Sequence, residues 1–475
     1  MSVESVLTII VLLVGFYMAW NIGANDVANA MGTSVGSKAL TLTKAVIIAG
    51  ILEFSGAFFL GSHVSETMQK GIVDPQVFAG DPNIFLYGML AALLSTAIWL
   101  QIASFFGWPV STTHAIVGAI IGFGALIGGF HTINWAMVGS IAASWVLSPA
   151  LSGIISYIIF SILQRKILFA MNPIAATRRL IPYLIFLIFL TFSLTILSDG
   201  VKNIELDNLT VIVISLSTAL ICALISFFII KSHKTPEGYG EVPSMRLSQQ
   251  AYSLNKAVKH LQRVKLSSTG ETQSKLSTLL SETRALAKNM RKKADFYSHT
   301  SDYTAVEKMF SYLQIISACF VAFAHGANDV ANAIGPVAAV LDVVRFKQIV
   351  YETTIPTWLL ALGGFGIVVG LATWGWRVIE TIGKKITELT PTRGFSAEFG
   401  AATTILVASK LGLPVSTTHC VVGAVLGVGL ARGLSALNFK ILRDIALSWV
   451  ITIPSSALVC ILFFHLIKAI FSPFL

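Results

Sequence analysis

The sequence predicts an all-α polytopic membrane protein with about twelve transmembrane segments in two inverted-topology repeats that contain broken or re-entrant helices. Three observations carry this prediction. Hydrophobic residues make up 55% of the 475 residues and charged residues only 12%, whereas soluble domains carry about 25% charged residues. Apolar runs long enough to cross a hydrocarbon core of about 30 Å recur along most of the chain. Two polar sequence words are duplicated within this apolar background.

The duplicated words define the repeat. The octapeptide GANDVANA occupies 23–30 and 326–333, so its copies start 303 residues apart. The hexapeptide PVSTTH occupies 109–114 and 414–419, so its copies start 305 residues apart. Polar residues in an apolar helix are costly, and their presence in both copies indicates a substrate or ion site in an internally repeated protein.

The predicted crossings follow the apolar runs. The first half contains segments at 3–22, 45–62, 84–106, 115–130, 135–164, 181–198 and 210–230. The second half contains segments at 310–324, 350–372, 395–412, 414–430 and 445–470. The first run lacks a basic leader and a small-residue cleavage site, which favours a spanning helix over a cleaved signal. The expected division is a first repeat at 1–180, a connecting hairpin at 181–230, a polar loop at 231–308 and a second repeat at 309–475.

Positive charge predicts the orientation. The loop 231–308 holds 14 Lys/Arg and 7 Asp/Glu, which is +7 of the net charge of +10. The positive-inside rule places this loop and the basic stretch 165–179 in the cytoplasm, and the acidic turn 199–207 outside. Counting crossings then places both termini outside and threads the halves in opposite directions. Apolar residues at helical spacing predict an amphipathic helical hairpin within the loop. Anionic lipid or a regulatory partner stays open as its ligand, and no nucleic-acid partner is needed.

Asp26 and Asp329 occupy equivalent positions in the two octapeptides. An ionised carboxylate at membrane depth costs several kcal/mol unless a cation or proton compensates it. The two aspartates, brought together by the repeat, can hold Na⁺ or each carry a proton, and helix capping is the alternative role. Flanking amides can bridge an anion and a cation, because an amide offers both donors and a carbonyl. We expect these amides to serve the anion through Asn25 and Asn328 and the cation through Asn29 and Asn332.

The hexapeptide predicts the sign of the substrate. Pro109 and Pro414 fit the first turn of a new helix. A helix N-terminus presents free N–H groups and a partial positive charge, so two converging ends can bind a tetrahedral anion without Lys or Arg. The hydroxyl residues expected to donate to this anion are Ser111, Thr112, Thr113, Ser416, Thr417 and Thr418. Simple capping of the helix ends is the alternative. His114 and His419 can donate to the anion, relay protons or serve structure alone.

Glu53 and Glu398 are the remaining acidic residues set in apolar sequence. They lie 345 residues apart, so they are not repeat mates, and Pro356 falls where a mate of Glu53 is expected. Each glutamate is a candidate cation ligand or proton site, or an interhelical polar contact. The chain contains no visible nucleophile–base pair, phosphate loop or Cys/His metal spacing. We therefore expect neither an enzyme nor a cofactor beyond the coupling ion.

The duplicated GANDVANA and PVSTTH words resemble those of the inorganic phosphate transporter (PiT) family, over roughly 1–230 and 310–475. The resemblance implies symport of inorganic phosphate driven by Na⁺ or H⁺ and a homodimer in the lipid membrane. The substrate would lie between the inverted repeats. It also implies functional roles for Asp26, Glu53, Asp329, Glu398, Ser111 and Ser416.

Several alternatives stay open beside this resemblance. The family includes both proton-coupled and sodium-coupled carriers, some members take up metal–phosphate complexes, and some relatives carry sulfate. An anion channel is the alternative from another class, and paired buried aspartates argue against it. An enzyme acting on phosphate esters lacks a nucleophile. The compact loops and the lack of an organelle transit signature predict a bacterial inner membrane.

Overall fold

A computed structural model describes the protein over 3–106, 110–170, 172–198, 206–232, 243–297, 301–349, 354–375, 390–433 and 439–473. Within these residues the chain is helical apart from short connections and an isolated β-bridge between Val73 and Ile133. The predicted all-helical fold is therefore confirmed. Pro109 lies outside the described residues.

Each predicted apolar segment overlaps a helix, although the helix over the predicted segment 310–324 extends over Ser301–Phe346 and includes the second octapeptide. The first half contains α1 (Val3–Asn25), α2 (Val27–Gly36), α3 (Leu42–Leu60), α4 (Ser62–Glu66), α5 (Pro82–Phe106), α6 (Thr112–Phe123) and α7 (Trp135–Leu163). The middle of the chain contains α8 (Pro173–Ser198), α9 (Asn208–Ser232), α10 (Pro243–Leu266) and α11 (Gly270–Tyr297). The second half contains α12 (Ser301–Phe346), α13 (Thr357–Gly370), α14 (Pro391–Lys410), α15 (Thr417–Arg432) and α16 (Phe439–Phe471).

Nine helices in the described part of the chain are long and apolar enough to cross a membrane. Two shorter apolar helices begin at the Ser-Thr-Thr sequences, namely α6 with 12 residues and α15 with 16. A π-helical turn continues α6 to Gly128. A helix rises 1.5 Å per residue, so these two helices are only about 25 and 24 Å long, shorter than a hydrocarbon core of about 30 Å. The expected count of about twelve segments is reached when these two short helices and α14, which carries Glu398, are added to the nine long ones.

The helices group into two compact units. One unit contains Met1–Phe160, Ile188–Ala219 and Ser311–Leu475, and it holds all the candidate site residues. The other contains Ser161–Leu187 and Leu220–Phe310, in which α10 and α11 pack against each other as the predicted hairpin. The cytoplasmic placement of this hairpin and the four-part division of the chain remain predictions.

Glycines bring helix backbones into contact at matching places in both halves. A Cβ added to Gly23 would overlap the carbonyl oxygen of Ile367, and one added to Gly326 would overlap that of Glu53. These octapeptide glycines therefore allow close packing of two helix backbones. The two contacts make Ile367 the counterpart of Glu53, 314 residues away (367 − 53). The expectation that Pro356 occupies this place is wrong, because the second half has a longer connection before α13, and Pro356 instead caps α13.

Each short helix packs on a long helix of the other half. Gly118 of α6 lies against the backbone of Ile453 in α16, and Gly423 of α15 lies against Pro149 in α7. The glycines that follow the hexapeptides thus serve close packing. This exchange brings the N-terminal ends of α6 and α15 together.

Candidate functional site

Asp26, His325 and Asp329 form the centre of the candidate site. Each offers a ligand atom, and these atoms lie within 4.8 Å of one another. All three side chains are at most 1% exposed. Asp26 stands at the break between α1 and α2, whereas α12 runs without interruption through Asp329. The structure therefore brings together the two aspartates that the duplicated octapeptide singled out.

Each aspartate accepts a hydrogen bond from the short helix of its own half. Thr112 Oγ1 donates to Asp26 Oδ2, and Thr417 Oγ1 donates to Asp329 Oδ2 at 3.0 Å. Both threonines lie in the first turn of their helix, next to the capping serine. The carboxylates consequently sit at the positive ends of α6 and α15, where a helix favours negative charge.

Amides of the octapeptides connect the two halves. Asn29 Nδ2 donates to Thr418 Oγ1 at 2.8 Å, and Asn332 Nδ2 donates to Thr113 Oγ1 at 3.3 Å. Each bond joins an amide of one half to a hydroxyl of the other. The pocket is therefore built jointly, and neither half has the complete set of contacts.

The other two amides bind within their own half. Asn25 Nδ2 donates to Ser104 Oγ at 2.7 Å, and Asn328 Nδ2 donates to Ser409 Oγ at 3.0 Å. These bonds hold the octapeptides against α5 and α14. Asn25 and Asn328 are equivalent residues of the two octapeptides, so their partners Ser104 on α5 and Ser409 on α14 are equivalent too. These two serines lie 305 residues apart (409 − 104).

Ser111 and Ser416 are the N-caps of α6 and α15. Ser111 Oγ accepts from the backbone N–H of His114 at 3.2 Å, and Ser416 Oγ accepts from that of His419 at 3.3 Å. The capping role that the sequence left open is therefore present. It leaves the hydroxyl hydrogen of each serine available as a donor, because a hydroxyl both donates and accepts.

His114 and His419 pack on each other where the two halves meet. Their ring centroids are 4.4 Å apart. His114 Nδ1 lies 3.4 Å from the carbonyl oxygen of Trp449, and His419 Nδ1 lies 3.3 Å from that of Trp145. A carbonyl oxygen only accepts, so Nδ1 carries the hydrogen in both rings. Pro149 cannot donate to the Trp145 carbonyl one helical turn earlier, and the His419 ring supplies that donor.

His325 is a member of the site that the sequence reasoning missed. Its Nδ1 lies 2.6 Å from Glu53 Oε2 and its Nε2 lies 2.9 Å from Asp329 Oδ2. The imidazole thus bridges two carboxylates from α3 and α12. One signal could have revealed it, because His325 directly precedes the second octapeptide at a position where the first copy has Ile22.

Glu398 lies in a separate hydrogen-bonded pocket. It accepts from Thr33 and Ser34 on α2 and from Gln314 and Ser317 on α12. The sequence identified the glutamate but none of its four partners. The two glutamates therefore have different surroundings, since Glu53 faces an imidazole and Glu398 faces neutral donors.

Buried oxygen atoms around the aspartates suit a hard cation. Among the buried oxygens of the described residues that have no hydrogen-bond donor are Asp26 Oδ1, Asp329 Oδ1, Asn328 Oδ1 and Asn332 Oδ1 of the octapeptides, and Glu53 Oε1 beside His325. Such oxygens can ligate a hard cation, which prefers oxygen ligands. Charge points the same way, because three carboxyl groups surround a single imidazole. Two ionised carboxylates about 5 Å apart repel by roughly 3 kcal/mol at an effective dielectric near 20.

The fold and the pocket define the class of protein. A polytopic helical membrane protein whose halves share a buried polar pocket lined by ends of short helices is built like a secondary transporter. The sequence profile of the phosphate transporter family matches residues 22–460. The chain belongs to the phosphate transporter family, which makes it a transporter and not an enzyme.

Individual relatives extend over nearly the whole chain. A protein of Chlamydia pneumoniae with a provisional designation as a phosphate permease is 48% identical over 98% of this chain and 99% of its own length. The chloroplastic inorganic phosphate transporter 2-1 of Arabidopsis thaliana is 44% identical over 97% of this chain and 72% of its own length. A solved structure described as the sodium-dependent phosphate transporter is 37% identical, with a TM-score of 0.77 over 98% of this chain and 100% of its own.

Proposed function

We propose that the protein imports inorganic phosphate by symport with Na⁺. The observation that carries the proposal is the joint pocket, in which Asp26 and Asp329 lie together and each accepts from the first turn of a short helix. The family supports phosphate as the substrate. The sodium-dependent relative of known structure supports Na⁺ as the coupling ion.

Phosphate binds at the converging N-terminal ends of α6 and α15. The early backbone N–H groups of a helix have no intrahelical acceptor, so they can donate to phosphate oxygens. The hydroxyls of Ser111 and Ser416 add donors to these ends. Neither Lys nor Arg is needed, because the helix ends themselves supply partial positive charge.

Na⁺ binds at Asp26 and Asp329, with the amide oxygens of the octapeptides completing its coordination. The cation offsets repulsion between the carboxylates and the phosphate, which is strong where water is excluded. Each ion therefore binds poorly without the other. This mutual dependence couples phosphate import to the Na⁺ gradient.

Access alternates between the two membrane sides by movement of helix groups around this pocket. The halves form inverted repeats, an arrangement supported by the duplicated words and by the matching contacts of Gly23 and Gly326. The excess of Lys and Arg in 231–308 supports a cytoplasmic placement of this loop, with both termini outside. The family resemblance supports association into a homodimer. The molar mass of the purified protein in detergent, measured by light scattering, tests this association.

Uptake into liposomes tests the proposal directly. Labelled phosphate is followed with the purified protein under an inward Na⁺ gradient, under a pH gradient in choline, and without a gradient. The proposal expects accumulation above equilibrium under the Na⁺ gradient alone. Accumulation driven equally well by the pH gradient in choline would contradict Na⁺ as the coupling ion. Flux without accumulation in every condition would indicate a channel.

Competition identifies the anion. Arsenate has the shape and protonation of phosphate, so excess arsenate is expected to block uptake, whereas sulfate is expected to leave it nearly unchanged. Stronger inhibition by sulfate than by arsenate would favour a sulfate carrier. A requirement for a divalent cation would favour a carrier of metal–phosphate complexes.

A further inference from the structure

Two histidines lie where the halves meet, each at the third residue of a short helix. His114 belongs to α6 and His419 to α15, and both are at most 4% exposed. The His114 ring lies against the Trp145 ring of its own half, with centroids 3.9 Å apart. The His419 ring lies in the same way against the Trp449 ring, with centroids 3.4 Å apart. Because the two histidine rings are themselves in contact, the four rings form one cluster.

Each histidine also reaches the other half of the molecule. His114 Nδ1 donates to the carbonyl oxygen of Trp449 at 3.4 Å, and His419 Nδ1 donates to that of Trp145 at 3.3 Å. Each imidazole therefore packs on the tryptophan ring of its own half and bonds to the backbone of the opposite half. Pro149 lies one turn after Trp145 and has no N–H, so this carbonyl oxygen lacks its usual helical donor. The cluster thus ties α6 to α16 and α15 to α7.

These anchors lie on the helix turns to which the proposed function assigns phosphate. Ser111 Oγ accepts from the backbone N–H of His114, and Ser416 Oγ accepts from that of His419. Each imidazole is therefore three residues beyond the capping serine, on the turn whose first N–H groups have no intrahelical acceptor. A shift of either ring moves the helix end that carries it. The rings consequently set the separation and the angle of the two ends.

The contacts of the rings argue against direct donation to phosphate and against a proton relay. A neutral imidazole carries one N–H, which both rings use at Nδ1, so Nε2 has no hydrogen to donate to the anion. Within the described residues, the Nε2 atoms of His114 and His419 are buried and have no hydrogen-bond partner. A relay needs a partner on each side of the ring. The rings therefore act through the backbone that they anchor.

We propose that His114 and His419 are positioning residues, which hold the N-terminal ends of α6 and α15 at the separation and angle that bind phosphate. The proposal rests on the proposed function. Each residue acts through its Nδ1 hydrogen bond to the opposite half. Loss of this bond loosens a helix end, so binding must then order that end and phosphate affinity falls. Phosphate that has bound is still transported at the normal maximal rate.

Asparagine and leucine give a matched comparison at each position, because they have nearly the same shape and both lose the ring contacts. Asparagine keeps an N–H donor near the place of Nδ1, whereas leucine has no donor. Na⁺-driven phosphate uptake into liposomes is measured per amount of folded protein for His114→Asn, His114→Leu, His419→Asn and His419→Leu. The half-saturating phosphate concentration is expected to be about three- to tenfold higher in each leucine variant than in its asparagine partner. The maximal rate is expected to stay the same, because loss of ground-state binding raises the half-saturating concentration alone.

Ser152→Ala is the control for structure alone. The Ser152 hydroxyl donates to the carbonyl oxygen of Cys420 at 2.7 Å, so it also joins α7 to α15, but beyond the first turn of α15. Its loss is expected to lower the thermal unfolding temperature and to leave the half-saturating phosphate concentration unchanged. Where a leucine variant fails to fold, His114→Gln or His419→Gln takes its place, because the glutamine amide lies near the place of Nε2.

Two outcomes of the uptake experiment would overturn the proposal. One is an equal half-saturating phosphate concentration in the leucine and asparagine variants of either histidine, which would remove that residue from the positioning of the helix ends. The other is a rise in Ser152→Ala as large as that in His419→Leu, which would mean that any loss of contact between α7 and α15 weakens phosphate binding.

Backbone hydrogen exchange separates the anchoring from the proposed function. Exchange is followed by mass spectrometry on the purified full-length protein without phosphate. The segments 112–118 and 417–423 are expected to exchange faster in the leucine variants than in the asparagine variants. Equal exchange within each pair would overturn the anchoring. If the unmodified protein takes up no phosphate at all, the proposed function fails, while hydrogen exchange still decides whether the Nδ1 bonds hold the helix ends.

Discussion

The two halves of the molecule share one set of polar contacts and differ in another. The shared set contains the aspartates, the octapeptide amides and the threonines of the short helices, each with an equivalent partner in the other half. The unshared set contains Glu53 with His325 and Glu398 with its four donors. Their counterparts are apolar residues such as Ile367, Ile22 and Leu93.

This difference suggests a division of roles. A substrate held between two pseudo-equivalent halves needs matching groups from both, and the shared set lines the joint pocket. Groups present in one half only cannot be required by the common fold. Of the unshared residues, Glu53 and His325 reach the joint pocket through Asp329, whereas Glu398 lies outside it.

The largest expected effect comes from the shared aspartates. Asp26→Asn and Asp329→Asn should each lower Na⁺-driven phosphate uptake by roughly 100-fold or more, because each removes a charged ligand from the joint pocket, and a loss of about 2.7 kcal/mol or more corresponds to that factor. Liposome uptake measures the effect. Normal accumulation by either variant would remove that aspartate from the coupling site.

An exposed aspartate provides the matched control. Asp207 precedes α9, and hydrogen bonds from Thr210 lower the pKa of its carboxyl group below the ordinary value. It lies far from the joint pocket in sequence and is solvent-exposed. Asp207→Asn should therefore leave the Na⁺-dependence of uptake unchanged.

The next effect concerns the unshared His325. Ile22 directly precedes the first octapeptide, and His325→Ile places the same residue directly before the second. The change leaves Glu53 buried without its imidazole partner. Loss of one partner of a buried pair typically costs about 3–5 kcal/mol, so a marked fall in thermal stability is expected. The double variant His325→Ile with Glu53→Ile restores an apolar pair like that of Ile22 and Ile367. It should regain stability but not Na⁺-driven uptake.

The outcome of that pair separates structure from transport. Full uptake in the double variant would mean that the unshared pair serves folding alone. Failure of the double variant to regain stability in a thermal unfolding assay would contradict the view that the pair is dispensable for the fold.

A smaller and symmetrical effect is expected at the threonines. Thr112→Val and Thr417→Val each remove a hydroxyl that donates to an aspartate, at nearly constant volume. A hydrogen bond to a charged group contributes about 1.5–3 kcal/mol, so the Na⁺ concentration for half-maximal uptake should rise by roughly tenfold or more in both. A strong effect at one threonine and none at the other would break the equivalence of the halves.

The smallest effects are expected at the capping serines. Ser111→Ala and Ser416→Ala each remove an N-cap, which typically costs about 1 kcal/mol of stability. Each also removes a proposed phosphate donor, so the phosphate concentration for half-maximal uptake should rise several-fold in both. An unchanged half-saturation in both variants would contradict the role of the short-helix ends in binding phosphate.

The sequence predicted the parts of the site that the duplication marks. Asp26 and Asp329 were found because one octapeptide occurs twice, and the short helices because Ser-Thr-Thr follows a proline in both copies. The pocket of Glu398 carries no such mark, since Thr33 and Glu398 are 365 residues apart and meet only through tertiary packing. Ile367 was missed as the counterpart of Glu53 because a change in connection length shifts the repeat register between the words.

Phosphate binding at different Na⁺ concentrations tests the central claim most directly. Binding to the purified protein is measured by calorimetry in Na⁺ and in choline, for the unmodified protein and for Asp26→Asn. Coupled ions must raise each other's affinity by the same factor. The account predicts that phosphate affinity rises steeply with Na⁺ in the unmodified protein and hardly at all in Asp26→Asn. Equally tight phosphate binding in choline and in Na⁺ would contradict it.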